Sequence, residues 1–244
     1  MSSSTLRLEF DPAGDVLEAS RDCEADIFLQ WYGNTRQQLA EEYGPYEQDS
    51  VFVSLVDAAN DVLACVRFLT GSSVGLKTID DVRQPPWSVD APRSARVAGV
   101  DLGRTWDVAT MGVRPGERAG RAQLAMALYH GLVASVVANE VSAVVAILDE
   151  RVRRLLASVG LDMRSLPGTR PAHYLGSPSS APVYARTAST LDRQRRDFPD
   201  AYRLVTLGVG LDGVTIPDRG HFRLLRVPVE PMPEPVSAGV SSLR

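Results

Sequence analysis

Among its 244 residues the chain has a single lysine, Lys77, and only two cysteines, Cys23 and Cys65. Two cysteines cannot build a disulfide framework, and neither lies in a CxxC pair or beside a histidine at metal-ligand spacing. A reducing, cytoplasmic setting without a bound metal is therefore expected. Lysine Schiff-base chemistry is disfavoured, because the other 25 of the 26 basic residues are arginine. No apolar run reaches the length of a membrane span, and the opening MSSSTLRLEFDPAGDV lacks the basic and apolar regions of an export signal, so neither membrane insertion nor secretion is expected. With 30 acidic residues against 26 basic ones the net charge is −4. The broad positive field that nucleic-acid binding requires is missing. An apolar fraction of 44% and a charged fraction of 23% describe an ordinary globular protein, long enough to bury a core of its own.

The pattern along the chain gives an organisation. Residues 1–20, rich in Ser and then punctuated by Asp, Gly and Pro, read as a flexible arm or edge strand. Apolar residues from Ser20 to Glu42 fall at helical spacings with an interruption at Gly33-Asn34, which predicts two helices. VFVSLVD and VLACVRFLT, separated by a short loop at Ala58–Asp61, predict a hairpin of strands Val51–Val56 and Val62–Thr70. A Pro-containing connector over 71–96 is too long for a turn and is expected to cross a surface or cover a site. TWDVATMGV predicts a strand over Thr105–Val113, and RPGERAGRAQ then opens into a long apolar helix. VSAVVAIL (Val141–Leu148) has the continuous apolar character of a strand covered on both faces. Asp149 is placed to cap the following helix and Gly160 to stop it. APVYARTAS predicts one more strand, LDRQRRDF a polar helical turn, and Asp212-Gly213 a hairpin within 191–228. The Pro- and Ser-rich 229–244 is expected to be disordered. Strands followed by a basic glycine loop, helix, strand and helix make an α+β layout.

A strand delivering into a Gly- and Arg-bearing loop and a helix N-terminus forms an anion site, where free N–H groups and the helix dipole meet the arginines. The segment Glu117–Ala122 is similar to the acyl-CoA loop of the GNAT acyltransferases, Q/R-x-x-G-x-G/A, with Glu117 at the first position. From about Glu42 to Arg186 the chain resembles the acyl-homoserine-lactone synthase branch of that fold and the related N-acyl amino acid synthases. The matching segments include EEYGPYEQDSVFVSLVDAANDVLACVRFL, LKTIDDV, TWDVATMGV and AILDERVRRLLASVGL. Arg67-Phe68-Leu69 matches the family's R-[LF]-L, and Trp106-Asp107-Val108-Ala109-Thr110 stands at its W-E-L-S-R. Asp107 thus replaces a glutamate and Thr110 an arginine. An acidic pair is altered to Gly44 and Glu47, and Leu156 occupies the place of a tyrosine that protonates the leaving thiolate.

The resemblance implies a GNAT-like α+β fold over 21–190, a central mixed and mostly antiparallel sheet flanked by helices. It implies an N-acyltransferase that moves an acyl group from an acyl-CoA or acyl-carrier-protein thioester to a small amine or amino-acid-like acceptor. The donor would lie on Met111, Gly112, Val113, Arg114, Arg118, Ala119, Gly120, Arg121 and Ala122, and Arg67, Trp31, Trp106 and Thr110 would bind substrate, with Trp31 and Trp106 among the aromatic residues that could line an acyl pocket. An alkylammonium must lose its proton before it attacks, and Asp107 and Glu47 are the carboxylates placed to take it. An ion pair of Asp107 with Arg104 or Arg67 competes with that role, as does a merely solvated loop position for Glu47. Family members that use S-adenosylmethionine need an acidic, hydrogen-bonded pocket for that cation, and the resemblance places two of its members at altered positions here, which weakens the case for lactone synthesis; a non-catalytic thioester-binding protein is the alternative reading.

Overall fold

The computed structural model describes residues 6–71, 73–116 and 120–225. Strands β2 (Ser50–Val56) and β3 (Val62–Leu69) form the expected hairpin. Its turn is held by Asp57, whose Oδ1 accepts the N–H groups of Ala59 and Asp61 at 2.8 and 2.9 Å. Antiparallel neighbours β1 (Leu6–Phe10) and β4 (Thr105–Val113) extend it on either side. Beyond β4 come β5 (Ala143–Asp149), β8 (Ser177–Arg186) and the short β6 (Arg164–Ser165). The strand order is β6-β8-β5-β4-β3-β2-β1-β9, with β7 (Ala172–Tyr174) also on β8 and β9 (Val214–Thr215) at the far edge. Among the described residues only β4–β5 and β1–β9 are parallel, so the sheet is mixed and mostly antiparallel, the GNAT-like arrangement.

Helix α5 (Arg121–Ala138) covers one face, its Leu124, Leu128 and Leu132 meeting Val53, Val66, Phe68 and Val108 of the sheet. It approaches closely at Gly131, where a Cβ would stand 2.6 Å from Val53 Cγ1. The opposite face carries α1 (Gly14–Tyr32) over β3 and β4, α2 (Arg36–Tyr43), α3 (Lys77–Asp81) and α4 (Ala91–Ala98). Gly33, at φ +74°, ends α1, and a reciprocal Thr35–Gln38 capping box starts α2, which is why one apolar pattern yields two helices. Alternation along β5 sends Val144, Ala146 and Leu148 to the α5 core and Val145 to the other, the two-sided burial its apolar run implied. Asp149 caps α6 (Glu150–Ser158) through the N–H of Arg151 at 2.8 Å.

Two expectations are corrected. Of the two alternatives for residues 1–20, the described residues 6–20 take the strand and not the flexible arm, because LRLEF alternates and pairs with β2, burying Leu8, with the two-residue β9 outside it, and α1 begins at Gly14. The tail over 191–225 contains no hairpin at Asp212-Gly213. Helix α7 (Thr187–Asp197) is followed by a π-helical turn, Tyr202–Thr206, and β9 pairs in parallel with β1 instead of folding back. The apolar run before Gly213 is taken by α5, since Val205 is fully buried and its carbonyl meets His130 Nδ1 at 2.9 Å. The 229–244 expectation lies outside the described residues.

Candidate functional site

The β4–β5 ladder joins only Thr105–Asp107 to Ala143–Val145. Past Asp107 the two parallel strands separate, and among the described residues no strand pairs with that side of β4. A register shift occurs opposite on β3: Phe68 pairs with Val108 and Arg67 with Thr110, leaving Ala109 as an extra residue. This bulge has a geometric effect. Asp107 and Thr110 are three apart and would point to opposite faces of a regular strand, but one extra residue returns both to the α1–α3 face.

Asp107 is 1% exposed. Its carboxylate accepts the Thr78 N–H at 2.5 Å and the Thr78 hydroxyl at 2.9 Å. Burial pushes its pKa up to about 7, against the opposing pull of those two hydrogen bonds and of Lys77. Lys77, itself buried, pairs with Glu42 at 2.5 Å and Asp81 at 2.6 Å and donates to the Tyr174 hydroxyl at 2.8 Å. The connector expected to cross a surface or cover a site takes the second course: it supplies α3 and the donors that hold Asp107. The expected Arg67–Asp107 or Arg104–Asp107 pair does not form. Arg67, 4% exposed, is bound instead by Glu24 of α1 at 2.9 Å, and Arg104 donates to the Glu140 carbonyl at 3.1 Å. Thr110 donates to the other oxygen of Glu24. Tyr43 stands between the two clusters, with the Arg67 guanidinium 5.0 Å and the Lys77 ammonium 5.6 Å from its ring centroid and its hydroxyl donating to the bulge carbonyl of Ala109 at 3.3 Å.

Beside the splayed end of β4 lies a cavity of about 310 Å³, lined by Met111, Gly112 and Val113 of β4, Trp31 of α1, Arg121 and Tyr129 of α5 and Arg151 of α6, among others. The guanidiniums of Arg121 and Arg151 lie 5.5 and 5.8 Å from the Trp31 ring centroid, so two cations and an aromatic plate share its lining. Gly112 lets α1 come this close, since a Cβ there would stand 2.8 Å from Ile27 Cγ2. Burial raises the pKa of Tyr129.

The sequence-derived residues divide accordingly. Met111, Gly112, Val113, Arg121 and Trp31 meet in the cavity, with Gly120 capping α5 at φ +80°. Arg118 and Ala119 lie outside the described residues. Ala122 is exposed and does not line the cavity, and Arg114 is held by Asp26 at 3.0 Å. Trp106 belongs to the other face: it packs against Phe68, centroids 5.4 Å apart, because it alternates with Asp107. Thr110 is taken up by Glu24, and Glu47 is tied to Arg21 and, at 3.6 Å, to Arg67. Leu156 is buried in the α5 core. Glu24, Thr78, Lys77, Tyr129 and Arg151 had been missed. Glu24 carried a usable signal, a carboxylate on the apolar face of α1 that needs a cation; the others become neighbours only by folding.

The fold is that of the GNAT-like acyltransferases, with β4 bulged and β5 splayed from it. Solved structures that share it include BjaI, a CoA-dependent acyl-homoserine lactone synthase with SAM and isopentyl-CoA, 16% identical over 90% of this chain and 97% of that one, at a TM-score of 0.58. FeeM, an N-acyl amino acid synthase from uncultured soil microbes, is 9% identical over 78% and 94% at 0.57, and the acyl-homoserine lactone synthase LasI is 13% identical over 77% and 94% at 0.50. At these identities the likeness establishes the fold. No protein-family model and no curated protein matches the sequence, and among the described residues no helix is long and apolar enough to cross a membrane.

Proposed function

We propose that the protein is an N-acyltransferase, taking an acyl group from a CoA or acyl-carrier-protein thioester to the amino group of a small amine or amino-acid-like acceptor. The observation that carries the reading is the fork itself: strand backbone left unpaired beyond Asp107, a cavity with Arg121 at a helix N-terminus, and a buried carboxyl at the branch point whose pKa is near neutrality. The pantetheine amides of the donor would pair with the free edge of Met111–Val113 as an added strand. Arg121 and Arg151 would meet its phosphate end, with the α5 dipole adding to their field. BjaI, which shares the fold, is CoA-dependent and is seen with isopentyl-CoA.

An alkylammonium of pKa about 10 is neutral only to about one part in a thousand at pH 7. Asp107, directly or through one water, would accept its proton, and Thr78 and Lys77 act as positioning residues that hold the carboxylate still. The freed amine adds to the thioester carbon, a backbone N–H of Met111–Val113 receives the oxyanion, and collapse expels the thiolate. Tyr129, kept protonated by its raised pKa, would donate to that sulfur in place of the tyrosine missing at Leu156, and the second proton shed by the amide nitrogen would return to the phenolate through water.

Mixing the protein with acyl-CoA or acyl-carrier protein and a panel of amines should release free thiol in step with amide formation. Two variants separate binding from chemistry. Arg121→Glu is expected to raise the donor KM about tenfold or more at low salt with a smaller effect on kcat. Tyr129→Phe is expected to lower kcat about tenfold to a hundredfold at unchanged donor KM. A second reading, thioester binding without turnover, is favoured by the near-complete burial of Asp107, and donor binding with no thiol release for any amine would establish it.

A further inference from the structure

A small apolar cavity, about 50 Å³, lies on the α5 side of the fork, lined by Val108 of β4, Val144 and Leu148 of β5, Leu132 of α5, Leu156 of α6 and Leu191 of α7, among others. Val108 is the first residue of β4 beyond Asp107, where the β4–β5 ladder has ended. Leu132 and Leu156 each lie one helical turn on from Leu128 and Val152, which line the cavity beside the end of β4. The two cavities thus follow one another along both helices. A water occupies only about 10–15 Å³ of such space, so the apolar cavity has room for several carbon atoms.

Its far end is basic. There it shares Ala185 and Thr190 with a polar cavity of about 70 Å³, whose lining holds three guanidiniums, of Arg164, Arg186 and Arg193, and one carboxylate, of Asp162. Arg193 pairs with Asp162 at 2.5 Å and with Asp197 at 3.6 Å. Arg164 and Arg186 are exposed and pair with no carboxylate among the described residues. Helix α7 is fixed across this junction, because a Cβ at Gly160 would stand 2.8 Å from Gln194 Cγ and Gln194 Nε2 donates to the Val159 carbonyl at 2.7 Å. Thr190 and Arg193 are therefore held at the join.

Each simpler occupant leaves one half unmatched. A small inorganic anion would meet the guanidiniums and leave the apolar cavity empty. A plain alkyl chain that filled the cavity would end among guanidiniums, displacing their water without supplying an acceptor. A chain ending in an ammonium would meet like charge. A chain ending in a carboxylate answers both halves, since its methylenes lie against valine and leucine and its oxygens accept from guanidinium forks.

We propose that the acyl group this protein takes is an ω-carboxyacyl chain, the half-thioester of an aliphatic dicarboxylic acid, with its methylenes in the apolar cavity and its free carboxylate at Arg164 and Arg186. The inference rests on the acyltransferase reading for the thioester end and adds the chemical class of the chain. The transfer itself is unchanged: the amine takes the thioester carbonyl, the thiolate leaves, and the distal carboxylate takes no part.

The test is calorimetric titration of the full chain with half-thioesters of succinate, adipate and suberate, presented on CoA and on acyl-carrier protein. Each is compared with the butanoyl, hexanoyl or octanoyl thioester of equal length and with its own ω-methyl ester. At low salt at least one half-thioester should bind about fivefold or more tighter than both of its controls. Arg164→Gln combined with Arg186→Gln should bring that ratio to within about twofold of unity, with alkyl-thioester affinity, circular dichroism and unfolding midpoint unchanged. Equal affinity of half-thioester and controls at every length overturns the inference, and the acyltransferase reading survives it if alkyl thioesters release thiol with an amine. A preference that persists in the double variant overturns it too. Preferred binding of a half-thioester without thiol release supports this assignment of the chain while the transfer reading fails. Binding of no thioester overturns both.

Discussion

Asp107→Asn is expected to lower acyl transfer by about 10²–10⁴-fold, the range of a lost general base, while acyl-donor affinity stays unchanged. The same carboxyl sets the pH dependence. With its pKa pushed up to about 7 by burial, Asp107 is protonated below neutrality and cannot accept a proton, so kcat/KM should fall about tenfold per pH unit below 7. Between pH 7 and the amine's own pKa near 10 the profile should be flat, because Asp107 deprotonates the bound ammonium, whereas the asparagine variant, left with the amine already neutral in solution, should lose the inflection at 7 and rise about tenfold per pH unit towards 10. The shift also carries a stability cost of determinate sign. The folded pKa lies above the unfolded value of 3.8, so the native state holds a proton that the unfolded chain releases, and stability falls as pH rises from about 4 through 7. The linkage amounts to on the order of 4 kcal/mol, and urea unfolding of wild type and Asp107→Asn across that window measures it. Full activity of Asp107→Asn with every amine would remove this residue from the mechanism.

The largest stability effect should come from Glu24. Glu24→Ala leaves Arg67 charged, buried and without its carboxylate, and is expected to cost about 3–5 kcal/mol in urea unfolding. Arg67→Met should cost less. Burial already raises the Glu24 pKa against the lowering effects of Arg67 and Thr110, so once Arg67 is gone that carboxyl can neutralise itself by taking a proton, whereas a guanidinium has no such escape. Glu24→Leu combined with Arg67→Met should recover most of the loss, as an apolar replacement of an entire buried pair often does. A Glu24→Ala cost under about 1 kcal/mol would show that the pair is not what holds α1 on the sheet.

Local features were legible because their causes are local. The hairpin is written in the alternation of residues 51–70 about the loop at Ala58–Asp61, β4 in TWDVATMGV, the two-helix entry in the Gly33-Asn34 interruption, and the cap of α6 in Asp149. The cavity beside the end of β4 has the same local origin, since Met111–Val113 and Arg121 of its lining fall in one strand–loop–helix stretch. The buried cluster around Asp107 and Arg67 was not readable in this way. Its partners come from α1, the 71–96 connector and the β7 region, separated by up to 97 positions in the Lys77–Tyr174 contact, and no spacing rule links them.

The sequence by itself determined strands β2 to β5 and β8, the ends of α1 and α6, and the need of Arg67, buried in a β-strand, for a carboxylate partner. Which carboxylate answered that need, and which face each β4 side chain reached, were decided only by the tertiary structure. The single extra residue at Ala109 reverses the alternation of β4, so that Thr110 joins Arg67 beneath Glu24 while Asp107 faces Thr78 and Lys77. A bulge costs one ladder pairing and is settled by what lies on both sides of the strand, so the charge of Asp107 was fixed by α3 docking over it and not by the residues beside it in the chain.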